Sequence, residues 1–210
     1  MLPKTPLAKL YLVEQRSVSD IAKKYGCSQN RVTYWLKKHH IPKRTISDAI
    51  YLKNNPKGDP FRPSKVTNME EAFLFGLGIG LYWGEGTKAN TGAVRLGNSD
   101  PALIKAFIKF LDQIYEVDKN RLKFGLQIFT DIDPLGAIAF WSKALGVSKK
   151  QFYKPYITLS IRNGTYKTRS KNGVLTLYMG NTRLRNILVG EIEKMRSVYY
   201  DGPVPVKRKI

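Results

Sequence analysis

The sequence predicts an α+β protein in two parts: a small all-α module over residues 1–53, a linker at 54–68, and a mixed domain over 69–210. Three observations carry this expectation. Apolar residues before position 54 fall at helical spacing. The run N-N-P-K-G-D-P-F-R-P-S-K-V-T-N, Asn54 to Asn68, then breaks all periodicity, and its prolines and basic residues mark a semi-extended connector. Beyond it, helical segments are interspersed with alternating runs such as Arg121 to Phe129.

Within the first part, Leu7 to Gln15 predicts a short helix through Leu10 and Val13. Ser17-Val18-Ser19-Asp20 reads as a capping box, and Ile21, Ala22 and Tyr25 give the helix it opens an inner face. Gly26 stops that helix. Ser28 then caps a second helix, Gln29 to His39, which buries Val32, Trp35 and Leu36 and ends at Pro42. Ile46 to Leu52 adds a last helical turn.

This helix, glycine turn and helix, S-D-I-A-K-K-Y-G-C-S-Q-N-R-V-T-Y-W-L-K-K, resembles the helix-turn-helix of resolvases and transposases. The resemblance implies that the outer face of the second helix enters a DNA major groove. Gln29, Asn30, Arg31, Thr33, Tyr34, Lys37 and Lys38 lie on that face. Asn30, Arg31 and Tyr34 are expected to read bases, and Lys37 and Lys38 to hold backbone. Cys27 takes a slot where a small apolar residue packs, which suits a core position rather than a nucleophile. A protein-binding helical module is the alternative.

The second part is organised around Glu71 to Lys88, E-A-F-L-F-G-L-G-I-G-L-Y-W-G-E-G-T-K. Gly76, Gly80 and Gly84 recur every four residues, so a helix aligns them on one face and puts Gly78 on another. Each glycine costs a helix roughly 1 kcal/mol relative to alanine, and close approach of a second backbone offsets that cost. The apolar run is shorter than the roughly 20 residues a bilayer requires, so a buried helix of a soluble protein is expected. The glycines do not spell G-x-G-x-x-G and follow no strand-like segment, which argues against a dinucleotide site.

Gly78 to Gly86, G-I-G-L-Y-W-G-E-G, resembles the LAGLIDADG motif of homing endonucleases. Gly80 matches the inner glycine, Gly84 the small residue, Glu85 the penultimate acid and Gly86 the final glycine, while Gly78 and Trp83 depart from the pattern at variable positions. The resemblance implies that Glu85 is the catalytic, Mg²⁺-binding acid and that Lys88 is the nearest basic group able to assist. It also implies a homodimer through Gly76, Gly80 and Gly84, since the chain holds one copy of the acidic motif. The implied fold is an αββαββα saddle whose sheet lies in the major groove.

The rest of the chain can be read onto that fold. A short strand covers Ala93 to Leu96, and Asp100-Pro101 opens a helix with Leu103, Ile104, Phe107, Leu111 and Ile114 inward. Arg121 to Phe129 is a half-buried strand with Arg121, Lys123 and Gln127 outward. Asp133-Pro134 opens a helix to Leu145, which is an insertion relative to the αββαββα order. Gln151 to Arg162 and Val174 to Met179 read as two strands joined by a basic hairpin loop, and Asn181 caps a final helix to Arg196. Arg95, Arg121, Lys123 and Gln127 of the sheet, with Lys167, Arg169 and Lys171 of the loop, are therefore expected at DNA.

Charge points the same way. The chain carries 36 Lys and Arg against 16 Asp and Glu, a net +20. Residues 1–68 hold 14 basic and 4 acidic groups and residues 69–210 hold 22 and 12, so each part is strongly cationic and a polyanion is the expected partner. Membrane and small-molecule partners are not expected, and Met1 to Pro6 does not read as a signal peptide. One cysteine excludes an internal disulfide and suits a reducing, cytoplasmic and nucleoid-associated setting. Two adjacent histidines, His39 and His40, make a His-based zinc site or hydrolytic triad poor expectations. The sequence thus predicts Mg²⁺-dependent cleavage of duplex DNA, with a non-catalytic transcriptional regulator on the same fold as the alternative.

Overall fold

The computed structural model describes residues 1–56, 58–89, 92–159 and 171–200. The protein is α+β and divides into two compact units, Met1–Pro60 and Phe61–Ile210.

In the first unit, α1 (Lys4–Ala8) runs into a π-helical turn, Lys9–Val13. Helix α2 (Val18–Lys24) begins at the expected capping box: Ser17 Oγ accepts from the Asp20 amide at 3.0 Å, and the Asp20 carboxylate accepts from Ser17 in return. These bonds from Ser17 hold the Asp20 carboxyl below its ordinary pKa. Gly26 turns the chain with φ +57°, and Ser28 caps α3 (Gln29–Lys38). The helix stops ahead of Pro42, because His40 adopts the left-handed region at φ 56°. Leu7, Leu10, Tyr11, Ile21, Val32, Leu36 and Ile41 form the core, with Cys27 packed at its margin. Trp35, expected in the buried stripe, is only half-buried and stacks on His39 at 5.2 Å. Helix α4 (Ile46–Asn54) buries none of its residues.

The second unit begins within the expected linker. Phe61 is buried in its core, and the amides of Arg62 and Ser64 each donate at 2.8 Å, to the carbonyls of Tyr115 and Ile114. Those two carbonyls belong to the last turn of a helix and have no intrahelical donor, so the strap satisfies them.

Helix α5 (Met69–Glu85) starts at Asn68, whose side chain accepts from the Glu71 amide at 2.9 Å. It leads to β1 (Val94–Asn98), α6 (Pro101–Tyr115), β2 (Lys123–Phe129), α7 (Pro134–Leu145), β3 (Tyr156–Thr158), β4 (Val174–Met179) and α8 (Thr182–Tyr199). The four strands form one sheet ordered β1-β4-β2-β3, antiparallel except for the β2–β3 pair. Helices α5, α6 and α8 pack over β1, and α7 packs against α6. Val94, Leu96, Phe124, Leu126, Ile128, Leu175 and Leu177 point into that helical layer and are buried.

Three expectations are corrected here. Strands β3 and β4 do not form a hairpin, because β2 lies between β4 and β3 and α7 supplies the crossover that a parallel β2–β3 pair requires. Arg121 ends a 3₁₀ turn, Lys119–Arg121, rather than opening β2. The strand expected from Gln151 begins only at Tyr156, because the Gln151 amide turns inward to donate to the carbonyls of Lys119 and Leu122 at 2.8 and 2.9 Å, and residues 160–162 of the expected strand lie outside the described residues. Of the expected basic loop, Lys167 and Arg169 lie outside the described residues, and Lys171 is exposed in a turn.

Candidate nucleic-acid interface and acidic site

Every expected reader on α3 projects outward. Gln29, Asn30, Arg31, Tyr34, Lys37 and Lys38 are exposed and Thr33 is half-buried, while Val32 and Leu36 on the opposite side anchor the helix. Lys38 places its ammonium 5.0 Å from the Trp35 ring centre and 5.8 Å from that of Tyr34, which presents the charge on an aromatic shelf. Arg44 does something different and was not foreseen. Its side chain donates to the carbonyls of Tyr11 and Arg16 and lies 4.1 Å over the Tyr11 ring, and its amide donates to the Tyr11 hydroxyl, so it ties the chain after α3 back to the π-helical turn and the residues after it.

Among the described residues the side of the sheet facing away from the helices is open, with Lys123, Gln127 and Val174 exposed, and it carries a second polar field. Strand pairing sets Arg95, Tyr178 and Lys123 in one cross-strand row and Gly97, Thr176 and Gly125 in the next. Val174, Gln127 and Tyr156 form a third row. Arg95 lies 5.2 Å over the Tyr178 ring. Lys123 and Gln127 are exposed, as the alternation of β2 predicts. A side chain at Gly125 would meet the Tyr178 ring at 2.9 Å and one at Gly97 would meet Thr176 Oγ1 at 3.2 Å, so the middle row stays flat.

Helix α5 separates its glycines by face. Gly78 is buried, and any Cβ there would clash with the Phe110 ring. A Cβ on Gly76, Gly80 or Gly84 would meet nothing within 4 Å. The expectation of a buried helix is therefore corrected: one side of α5 is core, and the other exposes Met69 (84%), Phe73 (71%) and Leu77 (37%) beside the three glycines. This outer side carries no charge between Ala72 and Gly84.

Glu85 ends α5 and is exposed. Gly86 follows it in extended backbone and pairs with Leu96, while the Thr87 amide donates to the Arg95 carbonyl at 2.9 Å. Lys88 folds back and donates its ammonium to the Trp83 carbonyl at 2.7 Å. Burial holds that ammonium below its ordinary pKa; the Glu85 carboxylate opposes the shift and Arg196 adds to it. Arg196 also lies 5.7 Å from the Trp83 ring centre. The buried Arg185 of α8 donates to the Lys88 carbonyl and to Asn186, and its Nε has no hydrogen-bond partner among the described residues. Tyr82, beneath this turn, has its phenol pKa raised by burial, with Arg185 partly offsetting the shift.

Among the described residues no group of three or more His, Cys, Asp or Glu is placed to hold a metal. No helix among them is long and apolar enough to cross a membrane. Comparison with protein-family models, with curated proteins and with solved structures returned no match.

Proposed function

We propose that this chain is a DNA-binding, metal-dependent endonuclease that works as a homodimer, with α3 and the open sheet face as its two DNA-contacting surfaces. The observation that carries the reading is the division of α5: an uncharged, glycine-open outer face ends at an exposed carboxylate, Glu85. Two copies of such a face can approach closely enough to bring two Glu85 carboxylates together, and like charges at short range call for a cation between them.

The order of the sheet supports the same reading. The Gly86–Leu96 bridge, β1, β4 and β2 follow one another across the sheet, and α6 and α8 come after β1 and β4 in the chain. With α7 and β3 taken as an insertion, that is an αββαββα arrangement of the LAGLIDADG type. A saddle of this kind presents Arg95, Lys123 and Gln127 outward, a mixture of charge for phosphates and amide for base edges.

The donor set fits Mg²⁺, which takes oxygen ligands from one or two carboxylates together with substrate phosphate. Bound between Glu85 and its symmetry mate, the ion would supply a water of lowered pKa and neutralise charge on the phosphodiester. The chain's own part is to hold Glu85 in place, through the Gly86–Leu96 bridge and through Arg185 on the Lys88 carbonyl.

Glu85→Gln is the deciding variant. It is expected to abolish cleavage in Mg²⁺, leave DNA affinity in Ca²⁺ nearly unchanged, and keep or raise thermal stability. A second reading, a non-catalytic DNA-binding regulator, is favoured by the engagement of Lys88 with the Trp83 carbonyl, which occupies the nearest basic group. Wild-type protein that binds DNA tightly and cuts none of a randomised duplex library in Mg²⁺ or Mn²⁺ establishes that second reading.

A further inference from the structure

Two tyrosines three residues apart on an ordinary strand point to opposite faces. Tyr153 and Tyr156 do not. Phe152 is bridged to Phe124 and Tyr156 is paired with Gln127, so four steps along the β3 side match three along β2, and the extra residue falls in the Lys154-Pro155 segment. This bulge restores both rings to one side. Tyr156 lies in the row of Gln127 and Val174, and Tyr153 meets the ring of Tyr178 edge-on at 5.9 Å. Both rings are therefore on the open face, where they are 54% and 69% exposed.

Their surroundings define what they can take. Tyr178 carries the Arg95 guanidinium over its ring, Lys123 stands in the same row, and the flat Gly97–Thr176–Gly125 row leads to Tyr153. Exposed aromatic faces beside cations on an open sheet form a stacking platform for nucleobases. A paired base inside a duplex has both its faces stacked already, so only a base displaced from the stack can use these rings.

We propose that Tyr153 and Tyr156 form a stacking site for an unpaired nucleobase of a DNA strand, at the edge of the sheet that α7 and β3 add. The inference rests on the reading of the open sheet face as DNA-binding and extends it from intact duplex to locally unpaired DNA. The site gives the protein a preference for duplex in which a base is already extruded.

The test uses the full chain and a duplex of about 30 base pairs of mixed sequence at low salt, perfect or with one unpaired 2-aminopurine near its centre. Wild type is expected to bind the bulged duplex about tenfold more tightly than the perfect one, with quenching of the 2-aminopurine fluorescence. The double change Tyr153→Ala, Tyr156→Ala should remove the preference and the quenching, weakening the bulged duplex about tenfold more than the perfect one; the two phenylalanine replacements should retain both. Lys123→Ala should weaken both duplexes alike. Equal affinity of wild type for the two duplexes, or equal loss on both from the alanine pair, overturns the stacking site. A wild-type chain that binds neither duplex overturns the DNA reading of the sheet as well, so the two failures are told apart.

Discussion

Lys88 closes the last turn of the helix that presents Glu85, its ammonium donating to the Trp83 carbonyl at 2.7 Å. A cation at a helix C-terminus satisfies a carbonyl that lacks an intrahelical donor and interacts favourably with the helix dipole. Lys88→Met should then lower unfolding free energy by about 1 kcal/mol at neutral pH, as read by urea denaturation. If cleavage survives that change, Lys88 is a helix cap and has no part in the chemistry.

Two arginines of the first unit should behave in opposite ways. Arg31 is exposed on α3, so Arg31→Ala should leave the melting temperature unchanged and cost roughly 1–3 kcal/mol of binding on a cognate site, relaxing choice at about one base pair. Arg44 is bonded to two backbone carbonyls, and Arg44→Ala should lower stability by about 1–3 kcal/mol. Equal loss of cognate and random DNA in Arg31→Ala would remove α3 from the groove.

Local signals were legible in the sequence, and long-range ones were not. Ser17, Ser28, Asp100, Asp133 and Asn181 all cap the helices they precede, because a cap depends on three or four consecutive residues. The separation of Gly78 from Gly76, Gly80 and Gly84 followed from helical geometry alone. Strand order did not, since β4 enters between β1 and β2 while its chain neighbour β3 pairs on the far side. Within the sites, Arg185 was hidden because its acceptor is the distant Lys88 carbonyl, and Tyr153 because a bulge reverses the parity that places side chains on a face. The runs 160–170 and 201–210, which hold several of the chain's basic residues, lie outside the described structure.

Alkaline pH should expose the buried phenols. Burial, and then the Glu191 carboxylate, pushes the Tyr115 phenol well above its ordinary value of 10.0, and burial raises Tyr82. Unfolded tyrosines ionise near 10 while the folded ones keep their protons. Stability that is fully present below that pH is therefore lost as pH rises from about 10 toward the raised folded values. Lys88 acts with the opposite sign, since its lowered folded pKa lets stability rise with pH just below 10.5. Tyr115→Phe should flatten the alkaline loss seen in urea denaturation above about pH 10, and an unchanged slope would place that loss elsewhere.

The glycines of α5 offer the sharpest contrast between folding and assembly. Gly78→Ala forces a methyl group into the Phe110 ring in a filled core, and overpacking of this kind costs about 1–3 kcal/mol. Gly80→Ala adds a methyl group where nothing lies within 4 Å and replaces glycine in a helix interior, which should stabilise the isolated chain by about 1 kcal/mol. Gly80→Leu keeps much of that gain in helix propensity but fills the space a second backbone would occupy. Measured by sedimentation and by denaturation on the same samples, wild type should be a dimer and Gly80→Leu a folded monomer, which should lose cleavage along with the partner's Glu85. A wild-type chain that stays monomeric at high concentration and on DNA would leave Gly76, Gly80 and Gly84 without the second backbone that offsets their cost to the helix, and the shared acidic site would fall with it.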